Sequence, residues 1–201
     1  MPQLTFDRHR VHVPRAHSNV ERVAVYVDGF NLFFGIRSRN PKAVNFDVTS
    51  YVRSRLGTNQ VLSSVRYYSA PLVGNPEAER AQKRYFAALR ASNVEVILGR
   101  FQQKTIHCEH CGQSIPSFEE KMTDVHIAVD VLADGLLDRY DVAILITADS
   151  DLVPPIRKLA RCAKDKRVVV CLPPNRNSKD LKRYAEGHFH IDPKDLLNFQ
   201  M

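Results

Sequence analysis

Four aspartates occupy positions from which their side chains could do chemistry together. Asp28 directly follows the apolar run VAVYV, Asp149 and Asp151 follow the apolar run VAILIT, and Asp124 lies at the start of a long helical pattern. In an open α/β sheet the carboxyl ends of the strands open onto one crevice, at the point where the strand order reverses. If the two apolar runs form neighbouring strands, we expect the four carboxylates to lie close together.

Carboxylates that meet in this way repel one another. Two like unit charges about 4 Å apart repel by roughly 4 kcal/mol at an effective dielectric constant of 20, so the cluster needs protons or a cation. An all-oxygen set of ligands suits Mg²⁺ or Mn²⁺. Such an ion lowers the pKa of a bound water and stabilises charge on a phosphoryl oxygen, which predicts metal-assisted hydrolysis of a phosphodiester.

Helix capping is the competing interpretation of these acids. Asp28 and Asn31 could cap the helix that follows, and Asp124 or one of the pair Asp149 and Asp151 could cap another. One N-cap accounts for one acid. It does not account for both members of the pair, nor for a further aspartate at another strand end.

The elements that would position these residues alternate between strand and helix. Apolar runs predict strands in VAVYV, VLSSVRYYSAPL, VEVILGRF, VAILIT and RVVVCLP, with helices at about 30–39, 47–56, 77–91 and 123–137 and from about 151 onward. Pro154 and Pro155 are tolerated only in the first turn of that last helix. The alternation predicts a doubly wound, mostly parallel sheet of five to six strands with helices on both faces.

The helix predicted at 123–137 carries apolar residues among small ones, so we expect it to be buried over much of its surface. These apolar positions are Val125, Ile127, Val129, Leu132 and Leu136. Two acids inside the same helix, Asp130 and Asp134, are interpreted as solvated residues or ion-pair partners.

The chain is basic, with 29 Lys plus Arg against 22 Asp plus Glu, a net charge of +7 and a pI of about 9.4. This balance favours polyanionic partners, nucleic acid first. Residues 1–20 show no sustained periodicity and are expected to form a flexible basic arm before a domain at 21–201. Because no apolar run approaches the roughly 18 residues of a membrane span and residues 1–18 lack the apolar core of a signal peptide, we expect a soluble cytoplasmic protein that contacts no membrane.

Basic and aromatic residues alternate in two segments, RYYSAPL from Arg66 and QKRYFAALR from Gln82. Exposed aromatic rings beside cations suit single-stranded RNA, because bases stack on the rings and phosphates pair with the cations. Core packing is the alternative for Tyr85 and Phe86. Further cations could line the crevice: Arg37, Arg39, Arg100 and Lys104.

A cysteine pair, Cys108 and Cys111, lies in a polar insertion at about 102–120. Tetrahedral Zn²⁺ needs four ligands, which these few residues can hardly supply around one ion. His188 and His190, or the same loop of a second subunit, could complete a structural Zn²⁺ site, which leaves a homodimer open. A degenerate zinc ribbon is an alternative, whereas a redox motif is disfavoured because the pair does not follow a strand at a helix N-terminus.

Three segments, VYVDGFNLFFGI, EEKMTDVHIAVDVLADGL and AILITADSDLVPPIRKL, resemble in this order the motif blocks of the NYN domain family, a branch of the PIN-like nuclease superfamily. The resemblance covers roughly residues 22–173. It implies a PIN-like α/β fold, an intracellular role in RNA processing or decay, and ribonuclease activity that depends on Mg²⁺ or Mn²⁺.

The resemblance also implies roles for single residues, carried over by position. The metal would be held by Asp28, Asp124, Asp149 and Asp151. Asn31 would orient a ligand, water or phosphate, and Thr147 and Ser150 would support the acidic loop by hydrogen bonds. Lys121 would neutralise a substrate phosphate, unless it is a surface lysine at a helix entry.

Three other functions remain as competitors. A catalytically silent NYN-fold module would bind RNA or protein without turnover. A small-molecule phosphohydrolase that uses an aspartyl nucleophile is disfavoured, because no acid-x-acid pair follows the first strand. A dinucleotide enzyme is disfavoured too, since DGFNLFFG lacks the G-x-G-x-x-G turn that brings a pyrophosphate to a helix N-terminus.

Overall fold

A six-stranded, wholly parallel sheet forms the centre of the computed structural model, which describes residues 20–107 and 110–201. Its strands are β1 (Glu21–Asp28), β2 (Gln60–Ser69), β3 (Glu95–Leu98), β6 (Val142–Ile146), β7 (Arg167–Leu172) and β8 (Gly187–His190). A separate antiparallel hairpin consists of β4 (Arg100–His107) and β5 (Ser114–Lys121). The expected doubly wound α/β fold is therefore confirmed. The basic arm expected at residues 1–20 lies almost entirely outside the described residues.

Within the described residues six helices cover the sheet: α1 (Gly29–Arg39), α2 (Val48–Arg53), α3 (Pro76–Ala91), α4 (Thr123–Leu136), α5 (Val153–Cys162) and α6 (Lys179–Tyr184). Two short 3₁₀ turns, Ser150–Leu152 and Pro193–Leu196, complete the described elements. The two prolines of α5 lie in its first turn, as predicted.

The strand order is β3-β2-β1-β6-β7-β8. Successive strands are added outward from β1 to β3 on one side and from β6 to β8 on the other, so the strand order reverses between β1 and β6. These two strands pair with Val27 opposite Ile146, which places the residues that follow them side by side. The neighbourhood assumed for VAVYV and VAILIT is confirmed. It makes the edge beyond Asp28 the switch point at which ligands bind in such sheets.

Alternation along β1 sends side chains into two cores, one on each face of the sheet. Val23, Val25 and Val27 pack with residues of α1, α2 and α3, whereas Ala24 and Tyr26 pack with residues of α4, α5 and α6. A strand buried on both faces explains why VAVYV is a continuous apolar run.

The predicted strand VEVILGRF is in fact two strands that belong to different sheets. The break falls at Gly99, where an added Cβ would lie 2.5 Å from the carbonyl oxygen of Lys121. The chain leaves β3 there and enters the hairpin, which contains the predicted insertion. Cys111 is exposed in the hairpin turn, and Cys108 lies outside the described residues.

Helix α4 is buried on one face only, so the expectation of burial over much of its surface was wrong. Ile127 and Val131 are fully buried against the sheet, but Val125 is 66% exposed, Val129 56% and Leu136 58%. The sequence shows which positions are apolar, whereas burial depends on which face has another element against it. In the described structure the buried face of α4 packs against the sheet and α5.

The fold also contains elements that periodicity did not predict, among them α6 and β8. These two have six and four residues, too few for a helical or strand pattern to stand out. His188 and His190 belong to β8, the edge of the sheet opposite β3. The hairpin that carries Cys111 follows β3, so the two histidines lie at the edge of the sheet opposite the strand that leads into this hairpin.

Candidate metal centre

Asp28 is the last residue of β1 and its side chain is 5% exposed. One carboxylate oxygen, Oδ1, accepts the Asn31 backbone N–H at 3.0 Å and so caps α1. The other, Oδ2, accepts the Thr147 hydroxyl at 2.9 Å. Capping and site formation are thus not alternatives here, because one carboxylate takes part in both.

The acidic loop after β6 is fastened to α1 and to Asp28. The Thr147 hydroxyl, besides donating to Asp28, accepts the Asp149 backbone N–H at 3.0 Å. The Asn31 side-chain oxygen accepts the Ala148 backbone N–H at 3.2 Å. Asp149 Oδ1 in turn accepts the Asp151 N–H at 2.9 Å and caps the 3₁₀ turn. Thr147 and Asn31 thus both hold the acidic loop in place by hydrogen bonds.

Three of the four predicted aspartates form a compact group. One carboxylate oxygen from each of Asp28, Asp124 and Asp149 lies within 4.8 Å of the other two. Within the described part of the chain, no other set of three acids, histidines or cysteines comes together in this way. Asp124 reaches the group from the first turn of α4.

The group is strained electrostatically. Burial raises the pKa of Asp28 to about 6, although the Asn31 N–H and the Thr147 hydroxyl stabilise its ionised form; the charges of Asp124 and Asp149 add to the rise. Burial also raises the pKa of Asp124, with Asp149 and Asp151 as further causes. A bound divalent cation would relieve both the desolvation and the repulsion.

Glu120 joins this environment and was missed by sequence reasoning. Its carboxyl is half-buried, and burial raises its pKa to about 7, with Asp124, Asp28 and Asp149 contributing in that order. Its Oε1 is buried and has no hydrogen-bond partner among the described residues. The available signal was the pair Glu119 and Glu120: side chains alternate along a strand, so one of the two had to face inward.

Two predicted residues of the acidic loop lie outside the compact group. Asp151 is exposed, and its carboxylate is not among the three that converge. Ser150 is exposed, and its hydroxyl makes no hydrogen bond within residues 20–107 and 110–201, so the expected support of the loop by this hydroxyl is not present.

Lys121 lies on the exposed side of the hairpin. Its ammonium pairs with Glu119 Oε1 at 2.9 Å, and Lys104 pairs with the other oxygen of the same carboxylate at 3.3 Å. Lys121 therefore lies at the surface, at the entry to α4, with its ammonium paired to Glu119.

The sequence suggests that the segment beginning RYY is an exposed basic and aromatic surface, but in the structure this segment is largely buried. Arg66 pairs with Asp134, which is 3% exposed, and with Glu95 at 2.8 Å. Tyr68 is fully buried and donates its hydroxyl hydrogen to Asp130 at 2.8 Å. These contacts hold α4 against β2, and they confirm that Asp134 is an ion-pair partner.

Comparison with known proteins agrees with this geometry. The family model of the NYN domain matches residues 22–193. The chain is 22% identical over 219 residues to 6-hydroxy-3-succinoylpyridine 3-monooxygenase HspA of Pseudomonas putida, covering 90% of this chain and 70% of that one. A crystal structure of a Vibrio parahaemolyticus protein of unknown function has the same fold, with a TM-score of 0.66, 22% identity, and coverage of 92% of this chain and 99% of that one.

None of the described helices is long and apolar enough to cross a membrane. The family match spans both apolar runs, all four predicted aspartates and the hairpin between them. The chain therefore belongs to the NYN domain family.

Proposed function

We propose that this protein is a divalent-metal-dependent ribonuclease that hydrolyses RNA phosphodiester bonds in RNA processing or decay. The observation that carries the proposal is the convergence of Asp28, Asp124 and Asp149 within 4.8 Å at the switch point of the sheet. Membership of the NYN family and the net charge of +7 support it.

The donor set fits Mg²⁺ or Mn²⁺. All of its atoms are carboxylate oxygens, which hard divalent ions prefer. The buried Glu120 Oε1 lacks a partner in the described structure, so a further oxygen is available. Asp28, Asp124 and Asp149 would hold the ion, with Glu120 and Asp151 as additional donors. A divalent ion supplies a Lewis acid that stabilises charge on the phosphodiester.

The chain's own groups would bind and orient the RNA around this centre. The Asn31 side-chain oxygen is occupied by Ala148, which fixes its amide plane and leaves its NH₂ group to donate to a phosphate or water. Thr147 keeps Asp28 in place and stabilises its ionised form. Ser150, next to Asp149, and Lys121 are proposed as outer contacts to the substrate.

The test is cleavage of an end-labelled single-stranded RNA by purified protein with Mn²⁺, Mg²⁺ or EDTA. Asp28→Asn and Asp149→Asn should each abolish cleavage while RNA binding remains. Asp165→Asn is the matched control, because this exposed acid lies in the turn before β7, at the opposite end of the sheet. Metal-dependent cutting lost only in the first two variants would establish both the reaction and its residues.

Intact RNA under every condition would instead favour the silent module. Such a protein would keep the fold and bind RNA or protein, and Asp149→Asn would leave RNA affinity unchanged or strengthen it by removing a negative charge from the crevice. The two candidates thus differ in turnover, not in binding.

Similarity to the Pseudomonas putida enzyme raises a second candidate, hydroxylation of a pyridine ring. The specific observation in its favour is a cavity lined by aromatic side chains beside Asp28. Oxygen consumption with NADH and a hydroxypyridine measures it directly. We expect none, because the turn after β1 lacks the glycine pattern of a dinucleotide site.

The homodimer, the zinc site and the cytoplasmic location stay predictions. The exposed apolar residues of α4, Val125, Val129 and Leu136, are the surface we propose for a second subunit. Sedimentation of the protein and of Val129→Glu would test the dimer. Metal analysis of the protein beside Cys111→Ser would test zinc.

A further inference from the structure

A cavity of about 380 Å³ adjoins the acidic group, and none of the three converging aspartates lines it. Its near wall is Gly29 and Phe30, the two residues that directly follow Asp28, and its far wall is the Ala78, Ala81 and Gln82 side of α3. The volume falls within the range of about 300–1,000 Å³ that is typical of small-molecule sites. A guest in this cavity would lie beside whatever the acids bind.

Six aromatic side chains line the cavity: Phe30, Phe33, Phe34, Tyr67, Tyr85 and Phe86. Phe30 and Phe34 are stacked at 6.2 Å between ring centres, and Phe34 is 46% exposed. Tyr67 contacts Tyr85 edge-on at 5.7 Å. The walls therefore offer the faces and edges of rings, which prefer a flat aromatic guest.

Three polar side chains of the cavity wall, Tyr67, Tyr85 and Gln82, are already paired within the protein. The Tyr67 hydroxyl donates to the Gly29 carbonyl at 3.2 Å, and the Tyr85 hydroxyl donates to the Phe46 carbonyl at 2.8 Å. The Gln82 amide accepts from Leu72 N–H and donates to the Ala70 carbonyl. These three side chains are therefore engaged within the protein, and the six rings offer a guest mainly stacking.

Residues of opposite charge lie at the two ends of α1, which lines the cavity. Arg37 is in the last turn of this helix, with its guanidinium 5.9 Å from the centre of the Phe33 ring. Asp28 is the N-cap of the same helix and directly precedes Gly29 of the cavity wall. A guest that carries a ring and two phosphates could place the ring among the aromatics, one phosphate near Arg37 and the other near the acids.

We infer that this cavity binds a nucleobase of single-stranded RNA, the base of the nucleotide next to the phosphate that is cut. The inference rests on the proposed ribonuclease function and names the substrate contact that accompanies it. Because stacking on aromatic rings depends little on the identity of the base, every base should be accepted, and purines should bind more tightly than pyrimidines because they stack over a larger area.

The experiment measures binding of unlabelled RNA oligomers by calorimetry to the Asp149→Asn protein, which should not cut them. The oligomers are kept short, so that they cannot shift along the site, and each carries a single abasic residue at a different position. Loss of one stacked base should weaken binding about tenfold at one position and little elsewhere. In cleavage by the unsubstituted protein with Mn²⁺, the cut should fall beside that same position.

Variants of the cavity distinguish the loss of base stacking from a general loss of RNA affinity. Phe34→Ala and the cavity-filling Ala78→Leu should bind intact and abasic RNA equally, because the cavity can no longer bind the base. Tyr184→Ala is the matched control: it removes a partly exposed ring that packs on Arg157 and Arg183, outside the cavity, and should keep the tenfold difference. Thermal melts confirm that each variant is folded.

The outcomes distinguish this inference from the proposed reaction. Cleavage without any dependence on an abasic position would overturn the cavity inference and leave the ribonuclease intact. An abasic effect that the two cavity variants remove, in a protein that cuts no RNA, would support the cavity and refute the reaction. Tight binding of a free hydroxypyridine that RNA does not displace would overturn the nucleobase as occupant.

Discussion

The Thr147 hydroxyl donates to the Asp28 carboxylate at 2.9 Å, joining two residues that lie 119 positions apart in the chain. The bond runs from the residue after β6 to the last residue of β1, across the switch point of the sheet. It supplies a buried carboxylate with a donor and, by accepting the Asp149 N–H, sets the position of a second acid. One side chain thereby orders two of the three converging carboxylates.

Replacing Thr147 by valine keeps the shape of the side chain but removes the donor. Asp28 Oδ2 is then left buried without this bond, at a cost of about 1–3 kcal/mol of unfolding free energy. The pKa of Asp28 should rise further, because the hydroxyl now lowers it. Urea unfolding and Mn²⁺ titration by calorimetry measure the two effects. Thr147→Ser should resemble the unsubstituted protein; equal losses in both variants would show that the hydroxyl is not what matters.

The raised pKa of Asp28 predicts that the metal-free protein loses stability as the pH rises. The carboxyl binds its proton more tightly in the folded state, with a pKa of about 6 against an ordinary 3.8, so the unfolded state deprotonates first. The penalty is absent below about pH 4, grows up to about pH 6, and above that amounts to about 3 kcal/mol.

Urea unfolding in EDTA at pH 4.5 and pH 8 would test this, with Asp28→Asn as the comparison. Another carboxyl titrates in the same window: burial raises the pKa of Glu120 to about 7, so it too favours the unfolded state at higher pH. The quantity to follow is therefore the difference between the two proteins, which should shift in favour of Asp28→Asn as the pH rises. A constant difference would contradict the raised pKa.

Glu120→Gln should weaken Mn²⁺ binding about tenfold, because it removes one of four negative charges near the ion. Glu119→Gln is the matched control: the neighbouring carboxylate lies on the exposed side of the hairpin between Lys104 and Lys121. Calorimetric titration at pH 7.5 should show a loss in the first variant only. Equal affinities would mean that the buried Oε1 of Glu120 does not face the metal.

Sequence reasoning found the acids at strand ends because a buried parallel strand leaves a plain signal, a continuous apolar run that stops at a polar residue. Asp28 and Asp149 were found in this way. Glu120 was missed since its inward direction depends on the pairing of β5 with β4, which a single strand does not reveal. Arg66 was misinterpreted for a similar reason: its partner Asp134 is 68 residues away, on a helix packed against β2.

The site also depends on a residue that has no side chain. A Cβ on Gly29 would lie 2.5 Å from both the Tyr68 carbonyl oxygen and the Tyr67 ring, so Gly29→Ala must push α1 away from β2. We expect a cost of about 1–3 kcal/mol in unfolding free energy and weaker metal binding, because Asp28 and Asn31 flank the displaced residue. Gly57→Ala is the control, since its nearest neighbour would be a flexible glutamine side chain at 3.7 Å, and it should change stability by less than about 0.5 kcal/mol. Similar losses of stability and Mn²⁺ affinity in the two variants would show that close packing at Gly29 does not position the acids.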